Sequence, residues 1–238
     1  MYAKYKNEEF FDCIDTEEKA YWLGFLYADG CISKPKRTVK GIEKPYYRIE
    51  VSLKATDKEH LEKLRCALEM EAPVRVSHTN FKQADRCRLG WNSKHMWETL
   101  NNYGCTPKKS LTLKFPDVSV FKDKNLIRHF IRGYVDGDGC LSYATSDHKR
   151  ATLTILGTEH VLENMQHWLP LQFEIKLFKK PNENVCSLAF QGKTSFFIAN
   201  YLYKNSSIKL ERKYNKYLEF CRLYLEEYGL RLGKYGEF

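Results

Sequence analysis

The chain has 238 residues, of which 43% are hydrophobic and 14% aromatic, enough for a sizeable core in one or two domains. Lysine and arginine outnumber aspartate and glutamate by 39 to 30, and the net charge of +9 suits either a polyanionic partner or a solvated basic surface. Because no apolar run could span a membrane and residues 8–12 are too acidic for a targeting peptide, we expect a soluble, intracellular protein that is not secreted.

The first predicted element is an apolar, aromatic helix that follows a short arm, residues 1–14. Asp15 and Glu18 have the spacing of a capping box, which predicts the start of this helix. The helix is expected to run to about Ala28, and Asp29-Gly30 follows it directly.

Two strands are expected between Cys31 and Lys54, joined by a long basic connection, Lys34–Gly41. The second strand, Tyr47–Lys54, alternates between apolar and polar side chains with a period of two. A sheet of this kind covers a core with one face and presents its other face to a ligand. The apolar residues are Ile49, Val51 and Leu53, and the polar residues are Arg48, Glu50, Ser52 and Lys54.

A helix, two alternating strands and a further helix complete the first half of the chain. Asp57 is expected to cap the first of these helices and Ser93 the second. The strands between them are Val74–Ser77 and Arg86–Trp91. A linker to the rest of the chain is expected at Phe115–Val118.

The same order of elements returns after the linker, so each half is predicted to run α-β-β-α-β-β-α. We therefore expect an N-terminal half, residues 1–118, and a C-terminal half, residues 119–238. Ser207 is expected to open a last, long helix that ends near Gly229. The other elements expected here are a helix ending before Asp138, strands at Leu141–Tyr143, Ala151–Ile155, Phe173–Lys179 and Val185–Gln191, a helix after Gly157 and a helix from about Thr194 to Tyr203.

A stretch of the first helix is repeated in the second half. Ala20–Gly30 has its counterpart in Phe130–Gly139, and the aspartates at positions 29 and 138 are 109 residues apart. Each copy is an apolar run with two small residues four positions apart, followed by Asp-Gly and then Cys-x-Ser. Glycine inside a helix costs about 1 kcal/mol relative to alanine, which a close contact would offset. We therefore expect the two copies to pack against each other about a local two-fold axis.

Asp29 and Asp138 would then lie close together at the C-terminal ends of the paired helices. This is an unfavourable place for carboxylates, because the helix dipole is negative there and like charges repel. A divalent cation, with Mg²⁺ as the expected ion, would relieve both effects. The alternative is a duplicated packing helix whose Asp-Gly only turns the chain, but the same ending in two copies favours metal binding.

Both stretches resemble the LAGLIDADG motif of homing endonucleases, in the form that carries two motifs on one chain. Trp22–Gly30 reads W-L-G-F-L-Y-A-D-G and Ile131–Gly139 reads I-R-G-Y-V-D-G-D-G. The resemblance implies that the eighth-letter acids, Asp29 and Asp138, are the catalytic, metal-binding residues. It also implies an α+β fold of two halves related by a pseudo-two-fold axis, with the motif helices at the interface and two antiparallel sheets forming a saddle for duplex DNA.

The resemblance further implies a Mg²⁺-dependent, site-specific endonuclease that cuts both DNA strands across the minor groove and leaves short 3′ overhangs. The sixth letter is Tyr27 in the first copy and Asp136 in the second. We interpret this as a difference at the helix end and not as a lost metal ligand. A chain with both motifs need not dimerise, so we expect a monomer in a compartment that contains DNA.

Supporting residues are expected beside the two carboxylates. Glu50 corresponds to the family's polar residue near the metal-bound water, with Thr152 as a weaker match in the second half, although Glu50 could equally be an ordinary surface charge. A basic residue is expected near the scissile phosphate. The candidates are Lys109 and Arg212, with Lys213 as an alternative to Arg212, although surface lysines are common.

Polar strand positions are expected to read base edges in the major groove, since arginine pairs with guanine and glutamine with adenine. Basic loop residues are expected to contact phosphates, although any one of these side chains could be an ordinary exposed charge. Because Arg86 and Arg88 correspond to Val185 and Ser187, the target should be long and asymmetric. The candidates are Arg48, Arg75, Arg86, Arg88, Lys176 and Gln191 in strands, and Lys34, Lys36, Arg37, Lys149 and Arg150 in loops.

The eight cysteines do not suggest a zinc or disulfide framework. None of them forms a Cys-x-x-Cys pair, and the histidines do not complete a zinc spacing, so we expect free thiols in a reducing compartment. Cys31 with Cys140, and Cys87 with Cys186, occupy matching places in the two halves. This pattern predicts that they serve packing.

Two other classes of function are compatible with the sequence. One is a binding module of the same fold, either an RNA maturase or a DNA-binding regulator without cleavage. Keeping both Asp29 and Asp138 argues against lost catalysis but is compatible with a second role in splicing. The other is an interaction protein with a duplicated helix interface, which would show no salt-sensitive binding of nucleic acid.

Overall fold

The structure, a computed structural model, describes residues 7–39, 41–78, 85–144, 149–171, 177–179 and 185–229. Within these ranges no helix is long and apolar enough to cross a membrane. The helices are α1 (Glu17–Asp29), α2 (Lys58–Ala67), α3 (Lys94–Asn102), α4 (Ile127–Asp138), α5 (Glu159–Trp168), α6 (Lys193–Tyr203) and α7 (Glu211–Cys221), which a π-helical turn extends to Glu227. The strands are β1 (Gly30–Ser33), β2 (Lys36–Val39), β3 (Ile42–Pro45), β4 (Arg48–Lys54), β5 (Arg75–Ser77), β6 (Arg86–Asn92), β7 (Gly139–Tyr143), β8 (Ala151–Gly157), β9 (Phe178–Lys179) and β10 (Cys186–Gln191).

Two four-stranded antiparallel sheets form the frame of the molecule. The first has the strand order β1-β4-β6-β5, and the second has the equivalent order β7-β8-β10-β9. In both, a motif helix leads directly into the first strand, and the elements follow the predicted order α-β-β-α-β-β-α. The expected α+β fold of two similar halves is therefore confirmed.

The alternation predicted along the second strand is confirmed by the burial of β4. Ile49, Val51 and Leu53 are buried in the core, whereas the side chains between them lie on the opposite, partly exposed face. The neighbouring strand β6 alternates in the same way. Each sheet thus covers the core with its apolar face, and the first sheet presents charged side chains to solvent.

The motif helices α1 and α4 pack against each other through their small residues. A Cβ atom built on Gly24 would lie 1.9 Å from the main-chain oxygen of Phe130, and one built on Gly133 would lie 2.0 Å from that of Tyr21. Both distances are far below van der Waals contact, so no side chain fits at either place. This reciprocal contact confirms the close helix pair predicted from the repeat.

The connections between the two halves are also reciprocal. Thr158, the N-cap residue of α5, donates through its Oγ1 to the main-chain oxygen of Leu113 at 2.5 Å. Asp57, which precedes α2, pairs through its Oδ2 with Nε of Arg212 at 3.0 Å. In each half, a residue that follows the third helix (α3 or α6) therefore contacts the residue at the start of a helix in the other half (α5 or α2).

The start of α1 differs from the prediction. Thr16, not Asp15, is the N-cap residue: its backbone is extended and its Oγ1 accepts a hydrogen bond from the Lys19 amide at 3.3 Å. Asp15 instead forms an ion pair with the Lys19 ammonium at 2.9 Å. The threonine hydroxyl is one residue closer to the free amides of the first turn, which explains the shift.

Three other boundaries also differ. The basic connection predicted at Lys34–Gly41 contains β2, which pairs with β3 as a separate hairpin. The last helix begins at Glu211 and not at Ser207: Leu210, whose backbone is extended, is its N-cap residue, and the Ser207 amide donates to Glu17 Oε1 at 2.8 Å. Of the strand predicted at Phe173–Lys179, residues 177–179 are described, and among them Phe178–Lys179 form a strand; residues 172–176 lie outside the described residues.

Candidate active site at the ends of the motif helices

The two candidate carboxylates are the last residues of the paired helices. Asp29 ends α1 and Asp138 ends α4, and the glycine after each one begins a strand. A Cβ atom on Gly30 would lie 2.4 Å from Leu26 O, and one on Gly139 would lie 2.6 Å from Val135 O. The Asp-Gly ending of the motif is therefore required by the sharp exit of each chain from its helix, as well as by the carboxylate.

The close packing of α1 and α4 continues to the carboxylates. A Cβ atom built on Gly137 would lie 2.3 Å from the Cβ of Ala28 and 3.4 Å from Oδ2 of Asp29. The Asp29 carboxylate thus lies against the backbone of α4, one residue before Asp138. The predicted juxtaposition of the two acids is found in the structure.

Both carboxylates are in an environment that disfavours their charge. Burial and the neighbouring Asp138 carboxylate raise the pKa of Asp29 to about 6, against the opposing charges of Lys213, Lys109 and Arg212. Burial likewise raises the pKa of Asp138, which Lys109 and Lys213 oppose. Within the described part of the chain, neither carboxylate accepts a protein hydrogen bond. The site therefore holds two oxygen-donor groups whose charges are incompletely compensated.

Two lysines bind the main chain at the ends of the motif helices. Lys109 begins a 3₁₀ turn, Lys109–Leu111, and donates to the main-chain oxygen of Ala28 at 2.8 Å. Lys213, in the first turn of α7, donates to the end of α4. Its acceptors are the main-chain oxygens of Val135 at 2.6 Å, Asp136 at 2.7 Å, Gly137 at 3.2 Å and Gly139 at 2.7 Å.

This arrangement changes the correspondence expected between the halves. Ala28 and Gly137 hold the same position in the repeat, so Lys213, and not Arg212, is the structural counterpart of Lys109. Arg212 points instead to Asp57 at the start of α2. The side chains of adjacent residues in a helix point in different directions, and the sequence alone left the choice between Arg212 and Lys213 open.

The sixth-letter residues of the motif lie in the interior. Asp136 is fully buried and accepts hydrogen bonds from the hydroxyls of Tyr21 at 2.7 Å and Tyr203 at 2.6 Å, and from the Leu210 amide at 2.7 Å. Tyr27 is buried as well, and its hydroxyl donates to the main-chain oxygen of Tyr103. Asp136 thus links α1, α6 and the segment before α7 through hydrogen bonds, which is a structural role.

Glu50 lies on the polar face of the first sheet between two arginines. It accepts from Nε of Arg48 at 2.9 Å and lies 3.3 Å from Nε of Arg88. Thr152 was expected to correspond to Glu50, but the true counterpart is Thr154, two residues further along the strand. Glu50 is paired with Cys31, and Cys140, which matches Cys31 in the repeat, is paired with Thr154. Hydrogen-bond register, which the sequence does not reveal, decides this point.

The register also aligns the polar faces of the two sheets. Arg88 lies between Ser52 and Arg75 on the neighbouring strands. The corresponding row of the second sheet is Leu156, Ser187 and Phe178. Leu156 is 40% exposed and Phe178 is 65% exposed. The predicted correspondence of Arg88 with Ser187 is therefore found, and among the described residues this row of the second sheet is uncharged.

Most of the other proposed DNA-contacting residues are exposed and several already have partners. Arg86 donates from Nε to Ser52 Oγ at 3.1 Å. Lys36 pairs with Glu43 at 2.9 Å, Lys34 lies 4.8 Å from the ring centroid of Tyr47, and Arg37 stacks at 3.8 Å on Tyr46. Lys176 lies outside the described residues. Arg75, Lys149, Arg150 and Gln191 are exposed as well.

The prediction for the cysteines is half correct. All eight are free thiols, and Cys87 and Cys186 are buried in the core. Cys31 and Cys140 are exposed, because each is the second residue of a strand whose first residue faces the core. They lie two residues after Asp29 and Asp138, on the polar faces of the sheets.

Several solved structures have a similar fold. The I-LtrWI LAGLIDADG homing endonuclease bound to target DNA matches with a TM-score of 0.60 and 12% identity, over 94% of this chain and 94% of that chain. I-SmaMI bound to an uncleaved DNA target with calcium ions gives 0.58 and 14%, over 91% and 94%. The LAGLIDADG meganuclease I-AabMI bound to uncleaved DNA gives 0.54 and 13%, over 88% and 91%.

No protein-family model and no curated protein matches the sequence. Identities of 12 to 14% establish a shared fold and leave the chemistry to be argued from the residues of this chain. The matches extend over nearly the whole chain, and both motif helices occupy the interface described above. The chain therefore has the fold of the LAGLIDADG homing endonucleases, in the form that carries both motifs on a single chain.

Proposed function

We propose that this chain is a homing endonuclease: a site-specific enzyme that cuts both strands of a long, asymmetric DNA target with the help of a divalent metal ion. The observation that carries the proposal is the pair of carboxylates, Asp29 and Asp138, at the ends of two helices in backbone contact. Solved structures of the same fold include homing endonucleases bound to target DNA and to cleaved DNA. The similarity of fold makes an endonuclease the first function to consider, and the carboxylate pair supplies the chemical argument for it.

The two carboxylates fit a divalent cation whose other ligands come from DNA phosphates and water. The described residues contain no group of three or more His, Cys, Asp and Glu side chains that could hold a metal by themselves. Two carboxylates without protein hydrogen bonds match the usual Mg²⁺ site, in which one or two carboxylates act together with substrate phosphates and water. We therefore propose Asp29 and Asp138 as the protein ligands and Mg²⁺ as the ion.

When bound, the cation would neutralise charge on the attacking and leaving oxygens and activate the attacking water. The chain's own contribution is to hold Asp29 and Asp138 at fixed positions on the pseudo-two-fold axis, where both can serve each of the two strand cleavages. The pKa of Asp29, about 6, means that this carboxylate is fully charged as a ligand only above that pH, and the pKa of Asp138 is shifted in the same direction. A basic side chain near the scissile phosphate would stabilise its growing charge, with Lys109, Arg212 and Lys213 as candidates.

DNA would bind along the polar faces of the two sheets. The first sheet offers Arg48, Arg75, Arg86 and Arg88, whose guanidinium groups suit guanine edges in the major groove. Glu50, which pairs with two of these arginines, would have to release them or share them with the bases. On its described residues the second sheet offers hydroxyl, amide and apolar side chains, including Gln191, and Lys176 remains a candidate from the sequence. The two halves of the target should therefore differ.

The division at residue 118, the monomeric state and a compartment containing DNA complete the proposal. The division and the monomeric state follow from the presence of both motifs on one chain, and the compartment follows from the proposed DNA substrate. A single chain supplies both carboxylates, so cleavage would not require a second copy.

The decisive experiment is cleavage of a library of random duplexes with Mg²⁺, comparing wild type with Asp138→Asn. If only wild type cuts, at one long site with staggered ends, the proposal is supported. Specific binding without cleavage would indicate a DNA-binding regulator, and preferential binding of structured RNA would indicate a maturase. No salt-sensitive binding of either nucleic acid would indicate an interaction protein.

A further inference from the structure

Three basic groups lie near the two carboxylates, and their hydrogen bonding differs. Lys213 is 4% exposed, and its ammonium nitrogen has four main-chain oxygens within 3.2 Å. Lys109 is 8% exposed and donates to Ala28 O. Arg212 forms an ion pair with Asp57 at 3.0 Å. The difference is unexpected, because Lys109 and Lys213 occupy corresponding places in the two halves.

An ammonium group has three N–H donors. The four carbonyl oxygens around Lys213 use all three, so this lysine has no donor left for a phosphate. Lys109 has one acceptor among the described residues, which leaves two donors. Arg212 is held at the start of α2 by a carboxylate whose side chain is only 7% exposed. Moving the Arg212 side chain away from Asp57 would leave the largely buried Asp57 carboxylate unpaired, so Arg212 stays bound to it.

We infer that the two strand-cleaving centres are unequal: Lys109 contacts the scissile phosphate of one strand, whereas Lys213 is a positioning residue that holds the end of α4. This inference rests on the proposed endonuclease function. Lys213 cancels the negative end of the α4 dipole and ties down the peptide groups on both sides of Asp138. Lys109 binds the equivalent end of α1 through a single bond and keeps its remaining donors.

The consequence is a preferred order of strand cleavage. A donor aimed at a phosphate in a site that excludes water contributes about 10² to 10³ in rate. The strand that has Lys109 beside its scissile phosphate should be cut first. The other strand should be cut from a nicked intermediate.

The test uses the full chain and the target duplex obtained by cleavage selection, with each strand carrying a different fluorescent label at its 5′ end. In wild type we expect one strand to be cut at least about tenfold faster than the other, and a nicked form to accumulate from supercoiled plasmid. Lys109→Met should slow the fast strand by about 100-fold and the slow strand by less than threefold. Lys109→Arg, which keeps a charged donor, should restore part of the bias, and Lys114→Met, an exposed lysine nearby, should change nothing.

Lys213→Met should behave differently. It should slow both strands by similar factors and lower the thermal midpoint of the metal-free protein by about 4–8 °C, because four carbonyl oxygens lose their donor. Lys109→Met should lower that midpoint by less than about 2 °C, since one bond is lost. These midpoints are measured without metal or DNA, so they do not depend on activity.

The outcomes separate the inference from the proposed function. Equal strand rates in wild type, or equal slowing of both strands by Lys109→Met, would overturn the inference and leave the endonuclease proposal standing. A larger loss of stability from Lys109→Met than from Lys213→Met would also overturn it. If wild type cuts no duplex, the proposed function itself has failed.

Discussion

The α-carbon of Gly24 lies so close to the main-chain oxygen of Phe130 that a Cβ atom would be 1.9 Å from it. Gly133 has the reciprocal relationship with Tyr21 O, at 2.0 Å. These two contacts set the separation of α1 and α4, and the ends of these helices carry Asp29 and Asp138. The central glycines of the motif are therefore requirements of the candidate site as well as of the core.

We predict that Gly24→Ala destabilises the protein by at least about 3 kcal/mol, because the new methyl group must push two backbones apart. Helix propensity alone predicts a gain of about 1 kcal/mol, so the sign of the effect is diagnostic. Gly90→Ala is the matched control: its Cβ would meet only the side chains of Arg48 and Glu50, at 3.4 Å or more, and should change stability by less than about 0.5 kcal/mol. Urea unfolding measures both, and equal effects would contradict the argument.

A second prediction concerns the cost of holding Asp29 next to Asp138. The pKa of Asp29 is about 6 in the folded chain against an ordinary value of 3.8, so the folded state binds more protons between those pH values. Stability must then fall as pH rises from about 4 to about 6, and it stays lower above that window. Asp29→Asn removes this cost, and we expect a gain of about 1–3 kcal/mol at pH 7 that disappears near pH 4.

The same variant should lose DNA cleavage and lose the stabilisation that Mg²⁺ gives to wild type. Glu98→Gln, an exposed carboxylate on α3, is the control and should show neither change. Thermal unfolding from pH 4 to pH 8, with and without Mg²⁺, measures both effects. A stability gain that does not depend on pH would show that the charge of Asp29 is not its cause.

The sequence was sufficient for the features that depend on short-range pattern. The repeat around Asp29 and Asp138 predicted the helix pair, and alternation along β4 predicted which face of the sheet is buried. The sequence was insufficient for features that depend on which distant segments pair with each other. Strand register makes Thr154, and not the expected Thr152, the counterpart of Glu50. The choice between Arg212 and Lys213 depends on the direction of α7.

The start of α7 shows the same limit. Ser207 is a good helix cap by residue type, yet its amide is taken by Glu17, which is 190 positions away in sequence. Arg132 is fully buried in α4 and pairs with the same carboxylate at 2.7 Å. A local pattern does not reveal a partner at that distance.

A third prediction separates the two interpretations of Glu50. If Glu50 restrains Arg48 and Arg88, Glu50→Gln should free both for phosphates, strengthen non-specific duplex binding and steepen its dependence on salt. If Glu50 instead orients water at the metal, the variant should slow cleavage at least tenfold with unchanged binding. Glu43→Gln, which frees Lys36 in the exposed β2–β3 hairpin, controls for the change of net charge. Binding is measured by titration at several salt concentrations with Ca²⁺ in place of Mg²⁺.

The last prediction concerns the unequal faces of the two sheets. Phe178 and Leu156 occupy the places that Arg75 and Ser52 hold in the first sheet. Apolar side chains in the major groove contact the methyl group of thymine, whereas arginine pairs with N7 and O6 of guanine. The half of the target under the second sheet should therefore be read through thymine methyl groups, and the other half through guanine.

Base analogues test this directly. Replacing thymine by uracil in the half under the second sheet removes one methyl group per base and should weaken binding about fourfold at a contacted position, which corresponds to about 0.8 kcal/mol. Phe178→Ser should abolish that difference, because the side chain that senses the methyl group is gone. Replacing guanine by 7-deazaguanine should weaken binding only in the other half, and Arg75→Ala should abolish that effect. Equal sensitivity of both halves to uracil would mean that the faces do not read DNA in this way.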